Sequence, residues 1–260
     1  MQASIASGVK PISSLVASAS ADKPMLYWSF AASGVDTINT TGYELPALNN
    51  VGSPSFSGGG LVLNNTAALE YATADNDALR AVFDLQEGIW LFWANVTMDG
   101  SASGQDHLLS VHSGAGPQVR FNTNKATTHR PDVFLAWDGD TAATQYAGAS
   151  NEFAAAAATN VCLIVDNTAG GKQLYRYVNG VSVTGASFAG KGSLSYDLGV
   201  TQRVRIGADA AGTPGNFFYG TLRRMGCAKL PAMPSNITAI VQSLHQHNCV
   251  PTRELLLALQ

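Results

Sequence analysis

The chain has 260 residues, a formal net charge of −3 and 13% charged residues, against about 25% in a typical soluble domain. Alanine, glycine and serine supply 86 of the 260 positions, and the hydrophobic share of 46% is enough for a core. This composition argues against a coiled coil, disorder caused by excess charge, and a basic nucleic-acid-binding protein, while the length fits one large domain.

The N-terminal residues 1–23 are rich in Ala and Ser and show no helical or strand periodicity. Such a segment cannot bury enough apolar surface to fold alone. We therefore predict an extended arm over 1–23 that lies on a partner, a single domain over 24–247 and a tail with a short helix over 248–260.

From Met25 onward, short apolar runs are separated by turns of Gly, Asn, Asp and Ser. This spacing is typical of a β-sandwich or barrel. The predicted strands are 25–30, 61–63, 68–72, 80–85, 88–98, 107–112, 118–122, 132–137, 161–166, 173–178, 181–188, 203–208 and 219–230. Asn179-Gly180 lies between two of these runs and predicts a type I′ hairpin turn.

The run Ile89–Val96 is apolar at both alternating sets of positions. A strand of this kind is covered on both faces. One face fits the sandwich core, and the other requires an extra layer formed by a loop, the arm or another subunit.

Two helices are predicted near the C-terminus. The first follows Ser235 or Asn236, which are N-cap candidates, and the second follows Thr252 in the sequence TRELLLAL. The second helix is apolar enough either to pack on the sandwich or to hold another subunit. No run of 18 apolar residues is present, so membrane insertion is not expected.

The chain has three cysteines, Cys162, Cys227 and Cys249, with no C-x-x-C pair and no zinc-type spacing. Cys162 and Cys227 lie in apolar strand-like runs, where buried free thiols are expected. A chain without a disulfide framework is typical of a reducing compartment.

Four segments occur in an order that resembles a known superfamily. They are GIWLFW at 88–93, LYRYVNGV at 174–181, RVRIGAD at 203–209 and FFYGTLRRMG at 217–226, followed by a short helix. This order resembles the concanavalin A-like lectin/glucanase superfamily, and within it the laminin-G-like jelly rolls. The resemblance implies an all-β, concanavalin A-like (laminin-G-like) jelly-roll β-sandwich over about 25–247.

The function that the resemblance implies is a bacteriophage virion surface protein, of the tail, baseplate or capsid, that is not an enzyme. Its expected partners are other virion proteins, copies of itself and host-surface carbohydrate. The alternatives are a soluble lectin, a divergent carbohydrate-active enzyme of the same fold, or a capsid cement protein with no ligand.

The glucanases of this superfamily use a strand with the pattern Glu-x-Asp followed by a second Glu. The five glutamates of this chain are Glu44, Glu70, Glu87, Glu152 and Glu254, and none begins that pattern. No G-x-S-x-G nucleophile elbow is present either. No catalytic residue is therefore predicted.

The predicted ligand site is the turn at Trp137, Asp138 and Asp140 together with Tyr146, because a sugar needs an exposed aromatic face beside polar groups. No cofactor is required. The resemblance makes Ca²⁺ the cofactor to consider, because several laminin-G-like and legume-lectin-like relatives bind it; Asp138 and Asp140 are then the best candidate ligands, and Asp166-Asn167 is the second choice. At both places the alternative is an ordinary turn.

Arginines are grouped on two predicted strands. Arg203 and Arg205 share a face of one strand, and Arg223 and Arg224 are expected on opposite faces of another. In a chain with so few charges, these groups predict either contacts with a neighbouring subunit or a solvated sheet face.

Overall fold

A computed structural model describes residues 24–258 apart from 32–33, 65, 72–75, 84–87, 99–104, 114–117, 125–129, 138–142, 149–151, 153–155, 192–201, 210–214 and 231. The predicted arm at 1–23 lies outside the described residues, and so do Asp138 and Asp140.

The described part of the chain is built from sixteen strands and three helices. The strands are β1 Met25–Ala31, β2 Gly34–Asn39, β3 Leu48–Val51, β4 Ser55–Ser57, β5 Gly60–Asn64, β6 Ala68–Tyr71, β7 Ile89–Met98, β8 Gln105–Ser113, β9 Gln118–Asn124, β10 Arg130–Leu135, β11 Thr144–Tyr146, β12 Ala158–Asp166, β13 Gln173–Val178, β14 Val181–Ser187, β15 Gln202–Ile206 and β16 Tyr219–Leu230. The helices are α1 Asp77–Phe83, α2 Ile237–Gln246 and α3 Arg253–Ala258.

The strands form two antiparallel sheets. The nine-stranded sheet has the order β14-β13-β12-β7-β16-β1-β2, with β5 paired to β16 and β4 to β5. The seven-stranded sheet has the order β11-β10-β9-β8-β15-β6-β3. This arrangement confirms the predicted all-β sandwich.

The core between the two sheets is aromatic. Trp90 of β7 lies 4.5 Å, ring to ring, from Phe121 of β9 in the other sheet. Trp28 of β1 donates its indole N–H to the hydroxyl of Tyr71 in β6 over 2.9 Å. The indole rings of Trp28 and Trp90 are both fully buried, and each indole N–H group has a hydrogen-bond partner.

A helical layer, formed by α2 and α3, covers part of the outer face of the nine-stranded sheet. Ile240 and Leu244 of α2 and Leu255 of α3 join Leu91 and Trp93 of β7 in a second buried cluster. The second apolar face of β7 is covered, as predicted, but α2 and α3 form this layer and not the loop, arm or other subunit that was expected. The layer comes from the same chain, so the described part of the C-terminal helix packs on the sandwich.

Polar contacts fix the helical layer to the sheet. The indole N–H of Trp93 donates to the Cys249 carbonyl over 3.1 Å, and the Asn160 amide donates to the His245 carbonyl over 3.1 Å. Arg224 donates to the carbonyl of Asn248 over 3.1 Å. The first two bonds pair buried or partly buried polar groups that would otherwise lose their water without replacement, and the Arg224 bond lies at the exposed edge of the layer.

One predicted strand, 80–85, is wrong, because Asp77–Phe83 is a helix. Its apolar residues Leu79, Val82 and Phe83 follow the i, i+3, i+4 spacing of a helix face and are buried. The Asn76 side chain caps the helix by accepting the N–H of Leu79 at 3.1 Å. The helices predicted after Ser235 or Asn236 and after Thr252 are confirmed as α2 and α3, although the Asn236 side chain makes no capping hydrogen bond to α2.

All three cysteines are free and buried, as expected for Cys162 and Cys227. Burial raises the pKa of each thiol above its usual value. These thiols therefore stay protonated and act as apolar side chains.

The predicted hairpin turn is confirmed, because Asn179 and Gly180 have φ angles of 51° and 77°.

We expect Gly180→Ala to cost about 2–3 kcal/mol of unfolding free energy. A β-carbon there would sit in the left-handed region and 3.0 Å from the His245 ring. The matched control is Gly190→Ala, since Gly190 has a φ of 82° and open space around it. Urea unfolding should give the control a smaller loss, and equal losses would contradict the contact with α2.

Candidate functional site

A polar row crosses the outer face of the seven-stranded sheet. The strand registers place its members side by side in the order Asn49, Glu70, Arg205, Ser110, Arg120, Phe134 and Gln145. Residues directly opposite each other on neighbouring strands share a face. Ser110 and Arg205 are buried in this row, whereas Arg120 and Phe134 are half-buried. The row is therefore the candidate site.

One half of the polar row is held by ion pairing. The Arg205 guanidinium donates through Nε to the Glu70 carboxylate and through Nη1 to the Asp209 carbonyl, the latter over 2.7 Å. Arg205 is 2% exposed. These bonds anchor the segment after β15, which carries Asp209, against the sheet.

The other half of the row joins a cation to an aromatic ring. The Arg120 guanidinium carbon lies 5.5 Å from the centre of the Phe134 ring, within the range of a cation–π contact. Arg120 Nη1 is also 3.9 Å from Asp209 Oδ2. The Arg120 side chain keeps 18% of its surface exposed, so part of the guanidinium faces solvent.

Three side chains of this region contain buried polar atoms without a hydrogen-bond partner. The atoms are both ring nitrogens of His107, both amide atoms of Asn122 and Nε of Arg120. His107 lies opposite Asn122 next to a bulge in β8, and both side chains are buried. We call His107, Arg120, Asn122, Phe134 and Asp209 the outer-face cluster.

The electrostatics of the cluster keep His107 neutral at pH 7. Burial lowers the pKa of His107 to about 4, and Arg120 adds to that effect while Asp209 opposes it. A neutral imidazole offers one donor and one acceptor. These ring nitrogens, the two amide atoms of Asn122 and Nε of Arg120 are all buried, so the parts of the cluster that a ligand on this face meets are the exposed part of Arg120 and the half-buried Phe134 ring.

Protonation of His107 should make stability depend on pH. Its pKa is about 4 in the folded chain and near 6.5 when unfolded, so the unfolded chain binds more protons between these values. Stability therefore falls as the pH is lowered through this window, by up to about 3 kcal/mol at pH 4. Urea titrations of the wild type and His107→Gln check this, since only the wild type should carry this contribution. Parallel stability-versus-pH curves would contradict it.

Of the ligand residues predicted from the sequence, the structure describes Trp137 and Tyr146, which lie on the inner side of the same sheet. Trp137 is 1% exposed and donates its indole N–H to the Tyr146 hydroxyl over 2.9 Å. Both rings pack against Phe188 in the core. The structure thus brings Trp137 and Tyr146 together, but the Trp137 ring is not an exposed platform. Ligand binding at this end of the sheet stays a prediction.

The two calcium candidates differ in what the structure describes. Asp138 and Asp140 lie outside the described residues. Asp166 accepts the backbone N–H of Thr168 at 3.0 Å and its hydroxyl at 2.6 Å, a turn of the kind that Asp commonly closes. Within the described ranges, no group of three or more His, Cys, Asp or Glu side chains could hold a metal ion.

The four arginines predicted to contact a subunit lie in two places. Arg203 and Arg205 share the outer face of β15 by strand alternation. Arg223 donates to the hydroxyl of Thr97 over 2.6 Å, and Arg224 reaches the helical layer. A bulge between Leu222 and Arg224 puts both side chains on the same face, so the expected opposite placement is wrong. A subunit contact stays a prediction.

Sequence reasoning missed Arg120, Phe134 and the rest of the outer-face cluster. A local signal was present at 132–137, where Val133, Leu135 and Trp137 occupy one set of alternating positions and Asp132 and Phe134 the other. The apolar set is the inner one, so Phe134 is the aromatic residue that reaches the outer face.

Within the described residues, no helix is long and apolar enough to cross a membrane.

No known family model and no curated protein matches this sequence. In fold, the chain is similar to domain 4 of AbnA, an extracellular GH43 arabinanase from Geobacillus stearothermophilus, in complex with arabinotriose. The TM-score is 0.57 at 13% identity, over 86% of this chain and 100% of that one.

Two sialidases contain similar folds. The CBM40 of the Ruminococcus gnavus IT-sialidase, also solved with α2,3-sialyllactose, matches 70% of this chain and 95% of that one, at 18% identity and a TM-score of 0.53. The NanB sialidase from Streptococcus pneumoniae matches 72% of this chain but 28% of the enzyme, at 16% identity and a TM-score of 0.52. At these identities the likeness concerns the fold. The chain has the jelly-roll β-sandwich fold found in carbohydrate-binding and glycosidase domains, consistent with the concanavalin A-like fold that the sequence predicted.

Proposed function

We propose that this chain is a non-enzymatic, glycan-binding protein of a bacteriophage virion, and that its ligand binds on the outer face of the seven-stranded sheet. The observation that carries the proposal is the outer-face cluster. Its arginine–phenylalanine pair is partly exposed to solvent, and buried polar atoms without a hydrogen-bond partner lie beside that pair.

The chemistry of the cluster suits a sugar. Sugar hydroxyls accept hydrogen bonds from the partly exposed Arg120 guanidinium, and the half-buried Phe134 ring offers an apolar surface to a sugar ring. The charge of Arg120 favours a sugar that carries a carboxylate.

Two features of the face favour binding over hydrolysis. A glycosidase needs two carboxyl groups that flank the scissile bond, one of them as an acid. On this face, Glu70 is bonded to Arg205, and Asp209 lies beside Arg120. These carboxylates therefore hold the arginines in position, which suits a binding site.

The virion assignment rests on the sequence. The low charge of 13% and the Ala/Ser-rich residues 1–23 suit a chain with much of its surface against neighbouring subunits. Mass spectrometry of gradient-purified phage particles should find its peptides at a fixed ratio to the major capsid protein. Peptides confined to the particle-free lysate would favour a free lectin and contradict this part of the proposal.

The glycan-binding part is tested on an array of acidic and neutral glycans probed with the purified full chain. We expect a limited set of carboxylated glycans to bind, and Phe134→Ser to remove that binding. Tyr43→Ser serves as the control, because Tyr43 is an exposed aromatic residue that is not part of the outer-face cluster. The proposal would be contradicted if the chain bound no glycan on the array, or if Phe134→Ser bound the same glycans as the wild type.

A further inference from the structure

A polar groove lies on the outer face of the nine-stranded sheet, beside the helical layer and on the opposite side of the sandwich from the outer-face cluster. Its volume is about 340 Å³, inside the range of roughly 300–1,000 Å³ that small-molecule sites occupy. Asn64, Thr97, Tyr219 and Thr221 supply its polar wall, and Val62 and Met98 are among its apolar lining residues.

The groove exists because the outward positions of β7 and β16 are apolar at one end of each strand and polar at the other. In β7, the outward positions Leu91 and Trp93 lie under the helical layer, whereas Thr97, further along the strand, lines the groove. In β16, Ala228 and Leu230 lie under the layer, and the groove residues come from the opposite end of that strand. The helices cover the apolar half of this face and leave the polar half open.

The side chains of the groove are rich in hydrogen-bond donors. Asn64 accepts the hydroxyl of Thr66 through Oδ1 at 2.9 Å, which leaves its NH₂ group as a donor. Thr97 accepts Arg223 Nη1 at 2.6 Å, so its own O–H is a donor. Thr221 lies directly between Val62 and Thr97 in the sheet and adds a further hydroxyl.

The geometry points to a second saccharide site in this groove, separate from the outer-face cluster. The Tyr219 ring, paired with Asn64 across the sheet, provides the aromatic surface. The threonine hydroxyls and the Asn64 amide bind the ring and exocyclic oxygens. No Asp or Glu is among the described residues that line the groove, so oxygen acceptors enter without repulsion. Two sites on opposite faces let one chain bridge two glycans.

NMR of the full chain with ¹³C-labelled tyrosine rings tests this inference. The chain has 8 tyrosines, and Tyr219→Phe identifies the Tyr219 signal. The probes are glucose, galactose, N-acetylglucosamine, N-acetylneuraminic acid and lactose. We expect at least one of them to move the Tyr219 signal saturably, and Thr221→Val to weaken that binding about tenfold. Thr184→Val, at an exposed threonine of β14, is the control and should have no effect.

The outcomes separate this site from the proposed function. A Tyr219 response that persists in Arg120→Met supports a separate groove site, even if the outer-face cluster binds nothing. Binding that Arg120→Met abolishes while the Tyr219 signal never moves would overturn the groove site and leave the proposed function standing. A Tyr219 response that disappears in Arg120→Met, or an unmoved signal with every probe, also overturns it.

Discussion

Replacing Leu244 with aspartate is expected to destabilise the chain by more than about 4 kcal/mol, enough to unfold a marginally stable domain. Leu244 is 1% exposed and packs between α2 and the nine-stranded sheet. A carboxylate there loses its water and finds an apolar cluster around it. The substitution therefore detaches the helical layer and exposes the second apolar face of β7.

Gln242→Asp is the matched control for Leu244→Asp. Gln242 is exposed on the same helix, so the same charge there should change the stability by less than about 0.5 kcal/mol. Urea unfolding followed by far-ultraviolet circular dichroism gives both values. Similar small losses for the two variants would show that the helical layer contributes little to the stability of the sandwich.

Replacing Gly226 with alanine is expected to cost about 3–5 kcal/mol. Gly226 of β16 lies opposite Trp93 of β7, and a β-carbon on Gly226 would come within 2.1 Å of the indole ring. The ring must move, so the core is overpacked and the indole bond to Cys249 is lost. Overpacking costs about 1–3 kcal/mol, and an unpaired buried carbonyl adds a comparable amount.

Two comparisons isolate the cause of the Gly226→Ala effect. Gly170→Ala adds the same methyl group in open space and should be nearly neutral. Trp93→Phe shortens the ring, so Gly226→Ala should cost clearly less in that background. Urea titrations give the free energy of unfolding of each variant. If Gly226→Ala lowers it equally in the wild-type and Trp93→Phe backgrounds, the clash with the indole is contradicted.

The sequence predicted the fold class because strand patterns are local. Twelve of the thirteen predicted strands match strands of the structure, and the exception, 80–85, belongs to a helix. Val82 and Phe83 also have a high strand propensity, so the apolar run by itself favours a strand. The Asn76 side chain, which caps the helix, lies outside that run. The doubly apolar β7 predicted an extra layer, but only tertiary packing shows that α2 and α3 form it.

The candidate site was harder to predict than the fold. The polar row joins Asn49 at one edge of the sheet to Gln145 at the other, and strand order and register bring them into line. Neither the order nor the register can be read from local periodicity. Trp137 was predicted as the ligand-binding aromatic residue because it has the largest ring. Alternation along β10 shows instead that Phe134 is the aromatic residue that points outward.

The most direct test of the central claim is calorimetric titration of the best array glycan into paired variants. Arg120→Met removes the cation of the outer-face cluster, and Arg253→Met removes an exposed cation of α3 on the opposite side of the sandwich. We predict that Arg120→Met weakens binding roughly tenfold to a hundredfold, that Arg120→Lys restores part of it, and that Arg253→Met keeps the wild-type affinity. An Arg120→Met variant that folds normally and binds as tightly as the wild type would contradict a glycan site on this face.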